Sequence, residues 1–90
     1  MAYFEIRGGL KKLEFEHPSG SDGEATGAVV EFVYESPLAV GQWARITLGR
    51  HNGVLRELVG IPELVAVDNA KGRAEYLYRL RGAVAAAAPD

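Results

Sequence analysis

The amino-acid sequence predicts an all-β fold, a small and strongly bent antiparallel sheet that closes toward a barrel. Apolar and polar residues alternate with a period of two along most of the chain, which is typical of half-buried strands. Turn-forming residues separate these runs at short intervals. The 90 residues include 11 glycines, which suit the tight corners of such a sheet. A chain of this length predicts one domain with one small core.

Two alternating runs open the chain, at residues 2–7 and 13–17. Each places apolar side chains on one face and charged side chains on the other, so each predicts a strand. Gly8-Gly9 lies between them and predicts a hairpin turn. The cluster of turn formers from His17 to Glu24 predicts the main loop.

The next run, Gly27 to Glu35, is rich in β-branched and aromatic residues. One face is apolar throughout, and Val29 and Val33 make the opposite face partly apolar as well. This pattern predicts a central strand or one covered on both sides, ended by Ser36-Pro37. The residues of the apolar face are Ala28, Val30, Phe32 and Tyr34.

The segment from Val40 to Gly49 predicts a further strand, followed by a Gly-x-x-x-Gly turn with Arg50 and His51 at its tip. One predicted face consists of Val40, Ala44, Ile46 and Leu48, and the other of Trp43, Arg45 and Thr47. Residues 54–59 also fit one face of a short helical turn, because their apolar positions recur at i, i+1, i+4 and i+5. The predicted fold therefore includes one short helical turn as an option there.

The C-terminal part predicts a short strand at 64–67, a turn at 68–72 and a last strand at 73–81. The Ala-rich end has no pattern and no long side chains to bury, so it predicts a flexible tail. The domain organisation expected from the sequence is a single β domain over residues 1–82 and a tail over 83–90.

Composition limits the classes of function. The chain has no cysteine, which excludes disulfides, thiolate metal sites and a cysteine nucleophile. No apolar run is long enough to span a bilayer and no signal peptide is evident, so we expect a cytoplasmic protein without a membrane partner. His17 and His51 lie in no metal-binding spacing, and no phosphate-binding glycine motif is present. We expect no cofactor, no metal and no catalytic residue.

Charge is unevenly distributed although the net charge is only −2. Up to Glu35 there are seven acidic and three basic residues, whereas Gly41 to Gly82 holds seven basic and four acidic ones, and six of those seven bases are arginine. The two halves can pair within one molecule or between copies of it. Glu14 and Glu16 form the exposed face of a strand in our interpretation, although a general acid–base pair has the same spacing.

The basic half supplies the candidate binding residues. Arginine offers a planar donor fork to phosphate or carboxylate, and an adjacent aromatic side chain is typical of surfaces that stack bases. The alternative is that these arginines cover apolar surface with their aliphatic stems. The predicted binding residues are Trp43, Arg45, Arg50, His51, Arg79 and Arg81.

Residues 40–53 carry a family resemblance. Gly41, Ile46, Gly49 and Gly53 resemble the start of a KOW motif, the segment found in SH3-like barrels of ribosomal and transcription-elongation proteins. The chain departs from that motif at Arg56 and Glu57, where the motif has a further glycine. The resemblance implies an SH3-like barrel and no particular partner.

The expected function is that of a non-catalytic binding or adaptor domain that acts through a protein partner or by self-association, using an edge strand and the arginine-bearing surface. One alternative is a nucleic-acid-binding module that uses the same arginine and tryptophan face, with binding that weakens steeply in salt. Another is a small enzyme or ligand-binding protein with a pocket in the curved sheet, for which His17 is the best inward-facing polar residue.

Overall fold

The computed structural model describes residues 2–17 and 25–87 of the chain. All regular structure in these residues is β-strand, and it forms one sheet of seven strands. The strands are β1 (Phe4–Glu5), β2 (Leu10–Glu16), β3 (Gly27–Tyr34), β4 (Ala44–His51), β5 (Val54–Gly60), β6 (Glu63–Ala70) and β7 (Arg73–Ala86). The predicted all-β class is therefore confirmed. The predicted loop after His17 lies outside the described residues.

The strands follow the order β1-β4-β5-β7-β3-β2, and β6 pairs with β7 beside this path. Every pair is antiparallel except β1 with β4, which run parallel. The prediction of a purely antiparallel sheet is thus wrong for this one pair. The ladders among the described residues do not close into a ring, because β1 and β2 share no pairing although they stand at the two ends of the order.

The core contains most of the predicted apolar faces of β3 and β4, together with Ile6 and residues of β5 and β7. Tyr34, predicted on the apolar face of β3, is 39% exposed at the end of that strand. Phe32 stacks on Tyr78 with ring centroids 5.6 Å apart and on Phe4 with ring centroids 6.2 Å apart. Phe32, Leu58, Leu80 and Val30 are the largest fully buried side chains, and full burial of each stabilises the fold by about 1.5–3 kcal/mol. β3 pairs with both β2 and β7, so the predicted central strand is confirmed.

Two glycines allow β5 and β7 to approach each other closely. A Cβ atom on Gly82 would lie 2.9 Å from the carbonyl oxygen of Val59, and one on Gly60 would lie 2.8 Å from Leu80 Cδ1. β7 pairs with β6 over Arg73 to Arg79 and with β5 only from Val84 onward. The change of partner therefore occurs beside these glycines.

Gly8-Gly9 is a corner and not the predicted hairpin. Both glycines have positive φ, at 72° and 66°. The chain leaves β1, which lies beside β4, and continues as β2 beside β3. The amide of Val33 donates to the carbonyl oxygen of Gly9 at 3.3 Å, which attaches the corner to β3. The prediction failed because two glycines with positive φ can form either a hairpin turn or a corner. At a corner, the next strand pairs with a different part of the sheet and not with the preceding strand.

The helical alternative for residues 54–59 is wrong, since Val54–Gly60 is strand β5. The reason is the preceding Asn52-Gly53, whose φ values of 52° and 78° fit a two-residue type I′ hairpin turn. That turn returns the chain antiparallel to β4 and places Leu58 in the core. Lys71-Gly72, with φ values of 52° and 76°, makes the same kind of turn between β6 and β7.

Two predicted strand boundaries also need correction. Val40 is fully exposed in a turn, and β4 begins only at Ala44. β7 continues past Arg81 to Ala86, so part of the predicted tail belongs to the sheet. Ala83 lies opposite Gly27, and the amide of Ala87 donates to the carbonyl oxygen of Leu55 at 2.8 Å. Small side chains are sufficient at the end of β7, because its backbone pairs with β3 on one side and with β5 on the other.

Candidate interaction surface

Arg45 lies on the outer face of β4 and binds two carboxylates of the same chain. Its parallel neighbour on β1 is Glu5, whose Oε1 accepts from Arg45 Nε at 2.8 Å and from Nη2. Glu57 Oε2 lies 3.8 Å from Arg45 Nε, and the guanidinium carbon lies 5.1 Å from the ring centroid of Tyr3. The hydrogen bonds from Arg45 hold the pKa of Glu5 below its ordinary value. Arg45 thus joins β1, β4 and β5 across the surface.

Arg79 on β7 makes a similar contact with Glu31, its cross-strand partner on β3. Nε and Nη2 of Arg79 donate to Glu31 Oε2 at 3.1 Å and 3.0 Å. Glu5 and Glu31 belong to the acidic half of the sequence, and Arg45 and Arg79 to the basic half. The two halves therefore pair within one molecule at both places.

The other predicted residues lie elsewhere on the sheet. Trp43 precedes β4 with 37% of its surface exposed, and its carbonyl oxygen accepts from the amide of Phe4 at 2.8 Å. Arg50 and His51 belong to the end of β4, so their predicted place at the turn tip is wrong. The tip is Asn52-Gly53, and Arg50 Nη1 donates to the carbonyl oxygen of Gly53 at 3.0 Å.

The predicted binding residues are distributed over different strands. Trp43 directly precedes β4 and Arg45 is its second residue, whereas Arg79 and Arg81 lie on β7, and β5 separates these strands in the sheet. Arg79 and Arg81 share a shallow depression with Ile61 and Glu63. The arginine-bearing surface is thus divided, and its two central arginines already bind carboxylates.

Sequence reasoning did not single out β6, which forms an exposed edge of the sheet. β6 pairs with β7 on one side and with no described strand on the other. Its large apolar side chains are exposed: Leu64 by 47%, Val65 by 38% and Val67 by 50%. The sequence contained a signal for this, because LVAV places four apolar residues in succession where a half-buried strand alternates.

An apolar depression of ≈ 320 Å³ adjoins the start of β6. Leu64 and Tyr78 line this depression, and the amide of Leu38 donates to the Tyr78 hydroxyl at 2.8 Å. This hydrogen bond attaches the segment before β4 to the sheet. The other residues that line the depression are Pro37, Leu38, Ala39, Val40, Gln42 and Pro62.

Three carboxylates near β6 have no ion-pair partner among residues 2–17 and 25–87. Glu63 lies opposite Arg79, but that guanidinium binds Glu31. Asp68 lies directly opposite Glu75, and like charges in this position destabilise a strand pair. We call Leu64, Val65 and Val67, together with Glu63 and Asp68, the β6 surface.

Several other kinds of site are absent from the described part of the chain. It contains no group of three or more His, Asp or Glu residues placed to hold a metal ion. No polar or charged residue there is buried. Within those residues no helix is long and apolar enough to cross a membrane. The chain matches no protein-family model, no curated protein and no solved structure.

Proposed function

We propose that this protein is a non-catalytic binding domain that takes up an extended segment of a partner protein as an added strand beside β6. One observation supports the proposal above all others. β6 is an eight-residue strand that pairs on one side only within residues 2–17 and 25–87, and its exposed side chains are mainly apolar. Alternate residues of an edge strand direct their backbone N–H and C=O groups away from the sheet, so about four residues of β6 offer such groups to a partner.

The other long edge strand, β2, is less suited to this role. Four of its seven residues are charged, against two of eight in β6. Charged side chains on an edge are a common means of preventing strand addition. In addition, the guanidinium of Arg56 lies 5.5 Å from the ring centroid of Phe15 and covers part of its apolar surface. The contrast between the edges favours β6.

A strongly bent, barrel-like sheet is part of the proposal. The contact between Phe4 of β1 and Phe32 of β3 supports it, since these strands are not paired. In such an arrangement β4 and β5 cover the core face of β3 and β7. Leu64, at the start of β6, borders the depression lined by residues of the segment before β4 and remains 47% exposed to a partner.

A partner other than a second copy is favoured by charge. Antiparallel pairing of β6 with β6 of another copy would bring together Glu63 and Asp68 of both chains without a base on either strand. The pairing of Glu5 with Arg45 and of Glu31 with Arg79 also leaves less charge for association between copies. The same internal pairs weaken the case for nucleic acid, because phosphate binding requires accessible cations.

Peptide selection followed by mapping tests the proposal. Short random peptides are selected on the immobilised full chain, and the best binder is titrated into the labelled protein while amide shifts are followed by NMR. We expect the largest shifts along β6 and smaller ones along β2. Selection of no peptide, shifts centred on Trp43 and Arg45, or salt-sensitive binding of single-stranded oligonucleotides in preference to any peptide would contradict the proposal.

A matched pair of variants sharpens this experiment. Val65→Lys places a charge on β6 at a residue without a direct partner on β7, and Leu13→Lys makes a comparable change on β2. The two side chains are similarly exposed, at 38% and 42%. We expect Val65→Lys to weaken peptide binding and Leu13→Lys to leave it unchanged. The reverse result would place the binding edge at β2. Thermal unfolding of both variants verifies that they are folded.

A further inference from the structure

The two faces of β6 have different chemistry, and an added strand would continue both. Glu63, Ala66 and Asp68 lie on the outer face, opposite Arg79, Leu77 and Glu75 of β7. Leu64 and Val67 lie on the other face, opposite Tyr78 and Tyr76. Successive side chains of an added strand would meet these two faces in turn. We infer, on the basis of the proposed function, that the partner segment alternates basic and apolar side chains.

The basic positions follow from the carboxylates of the outer face. Asp68 and Glu75 oppose each other directly, and neither has an ion-pair partner among the described residues. Glu63 also has no ion-pair partner among the described residues, because Arg79, which lies opposite it, binds Glu31. A lysine or arginine on the added strand beside Asp68 converts a repulsive arrangement into an attractive cross-strand pair. Acidic side chains at these positions would add to the repulsion.

The apolar positions follow from the opposite face. Leu64 and Val67 are exposed by 47% and 50%, and an added strand would cover them. The depression beside Leu64 is lined by Pro37, Val40 and Tyr78 among others, and it is large enough for an apolar side chain. Apolar residues of the partner would therefore lose water-exposed surface on this face, which favours binding.

The chain itself does not supply such a segment from its described edges. β2 carries Lys11 and Lys12 together with Glu14 and Glu16, and Lys12 already lies 3.4 Å from Glu14. The net charge of β2 is therefore zero, so β2 is not a basic segment. The occupant is accordingly a basic and apolar extended segment of another protein.

Three synthetic peptides of equal length test this inference on the whole 90-residue chain. The first alternates lysine and valine, the second alternates glutamate and valine, and the third has the composition of the first with the lysines and valines in separate blocks. Binding is followed by NMR shifts of the β6 and β2 amides, at low and at moderate salt. The alternating lysine peptide should shift β6 amides and bind roughly fivefold or more tightly than either of the others.

Charge variants complete the test. Asp68→Asn should reduce the preference for the alternating lysine peptide, whereas Glu16→Gln on β2 should not change it. Equal binding at β6 of the glutamate peptide, or of the blocked peptide, would overturn the inference and leave strand addition in place. Shifts confined to surfaces other than β6 with all three peptides would overturn the proposed function and the inference together.

Discussion

Replacing Gly82 by alanine tests the close approach of β5 and β7. The added Cβ atom would lie 2.9 Å from the carbonyl oxygen of Val59 and 3.2 Å from Leu58 Cδ1. The first neighbour is backbone of the adjacent strand and cannot rotate away. Leu58 is fully buried, so its side chain has little space in which to move. Gly82→Ala therefore requires that the two strands separate or that the core repack.

The size of the effect follows from two opposing contributions. Overfilling a packed site costs about 1–3 kcal/mol of unfolding free energy. Replacing glycine by alanine restricts the unfolded chain and returns about 0.4–1 kcal/mol. The midpoints of these two ranges give a net loss of roughly 1–2 kcal/mol. For a domain of this size, each kcal/mol lowers Tm by about 4–8 °C, so we expect Tm to fall by roughly 4–16 °C.

Thermal and urea unfolding, followed by circular dichroism, measure this loss. Ala83→Ser is the matched control, because it adds one heavy atom at the next residue of β7, on an exposed side chain. We expect the control to change the unfolding free energy by less than about 0.5 kcal/mol. A Gly82→Ala protein that melts within a few degrees of the parent would refute the reasoning, since the backbones would then have to be further apart.

Three further predictions concern the core, a turn and an ion pair. Leu58→Ala should lower the unfolding free energy by about 2–5 kcal/mol in urea titrations, because the side chain is fully buried, whereas the exposed Leu64→Ala should cost much less. Lys71→Asn should raise Tm, with a gain of about 0.5 kcal/mol in the free energy of unfolding, because φ at this position is 52° and asparagine accepts positive φ more readily than lysine. A lower Tm would contradict the turn assignment. Arg45→Met should raise the NMR-measured pKa of Glu5 toward its ordinary value of 4.5. Because the pKa of Glu5 is lowered in the fold, the ion pair stabilises the protein at pH values above the ordinary pKa. This stabilisation is lost as pH falls through the pKa of the folded state. Arg45→Met should weaken this pH dependence of stability.

Local pattern alone was sufficient for the faces of the central strands. Ala28, Val30 and Phe32 are buried as their alternation predicts, and so are Ala44 and Ile46 on β4. The reason is that the side-chain direction of a strand depends only on the parity of the residue number. The Asn52-Gly53 turn also has a sequence signal, and its strength should have excluded a helix at residues 54–59.

The ion pairs show where local pattern ceases to be sufficient. The sequence placed Arg45 and Arg79 on strand faces with access to solvent. It did not show that Glu5 and Glu31, which are 40 and 48 residues away, lie beside them. The predicted binding residues are consequently divided between strands, and two of them bind carboxylates of the same chain.

The sequence by itself determined the all-β class, most strand positions and the buried faces of β3 and β4. Only the tertiary structure decided which strands are neighbours, that Gly8-Gly9 is a corner and that β6 is an exposed edge. The physical reason is that strand alternation depends on backbone geometry within a few residues. Strand pairing, by contrast, depends on contacts between distant segments, and an edge is defined by the strand that is missing beside it.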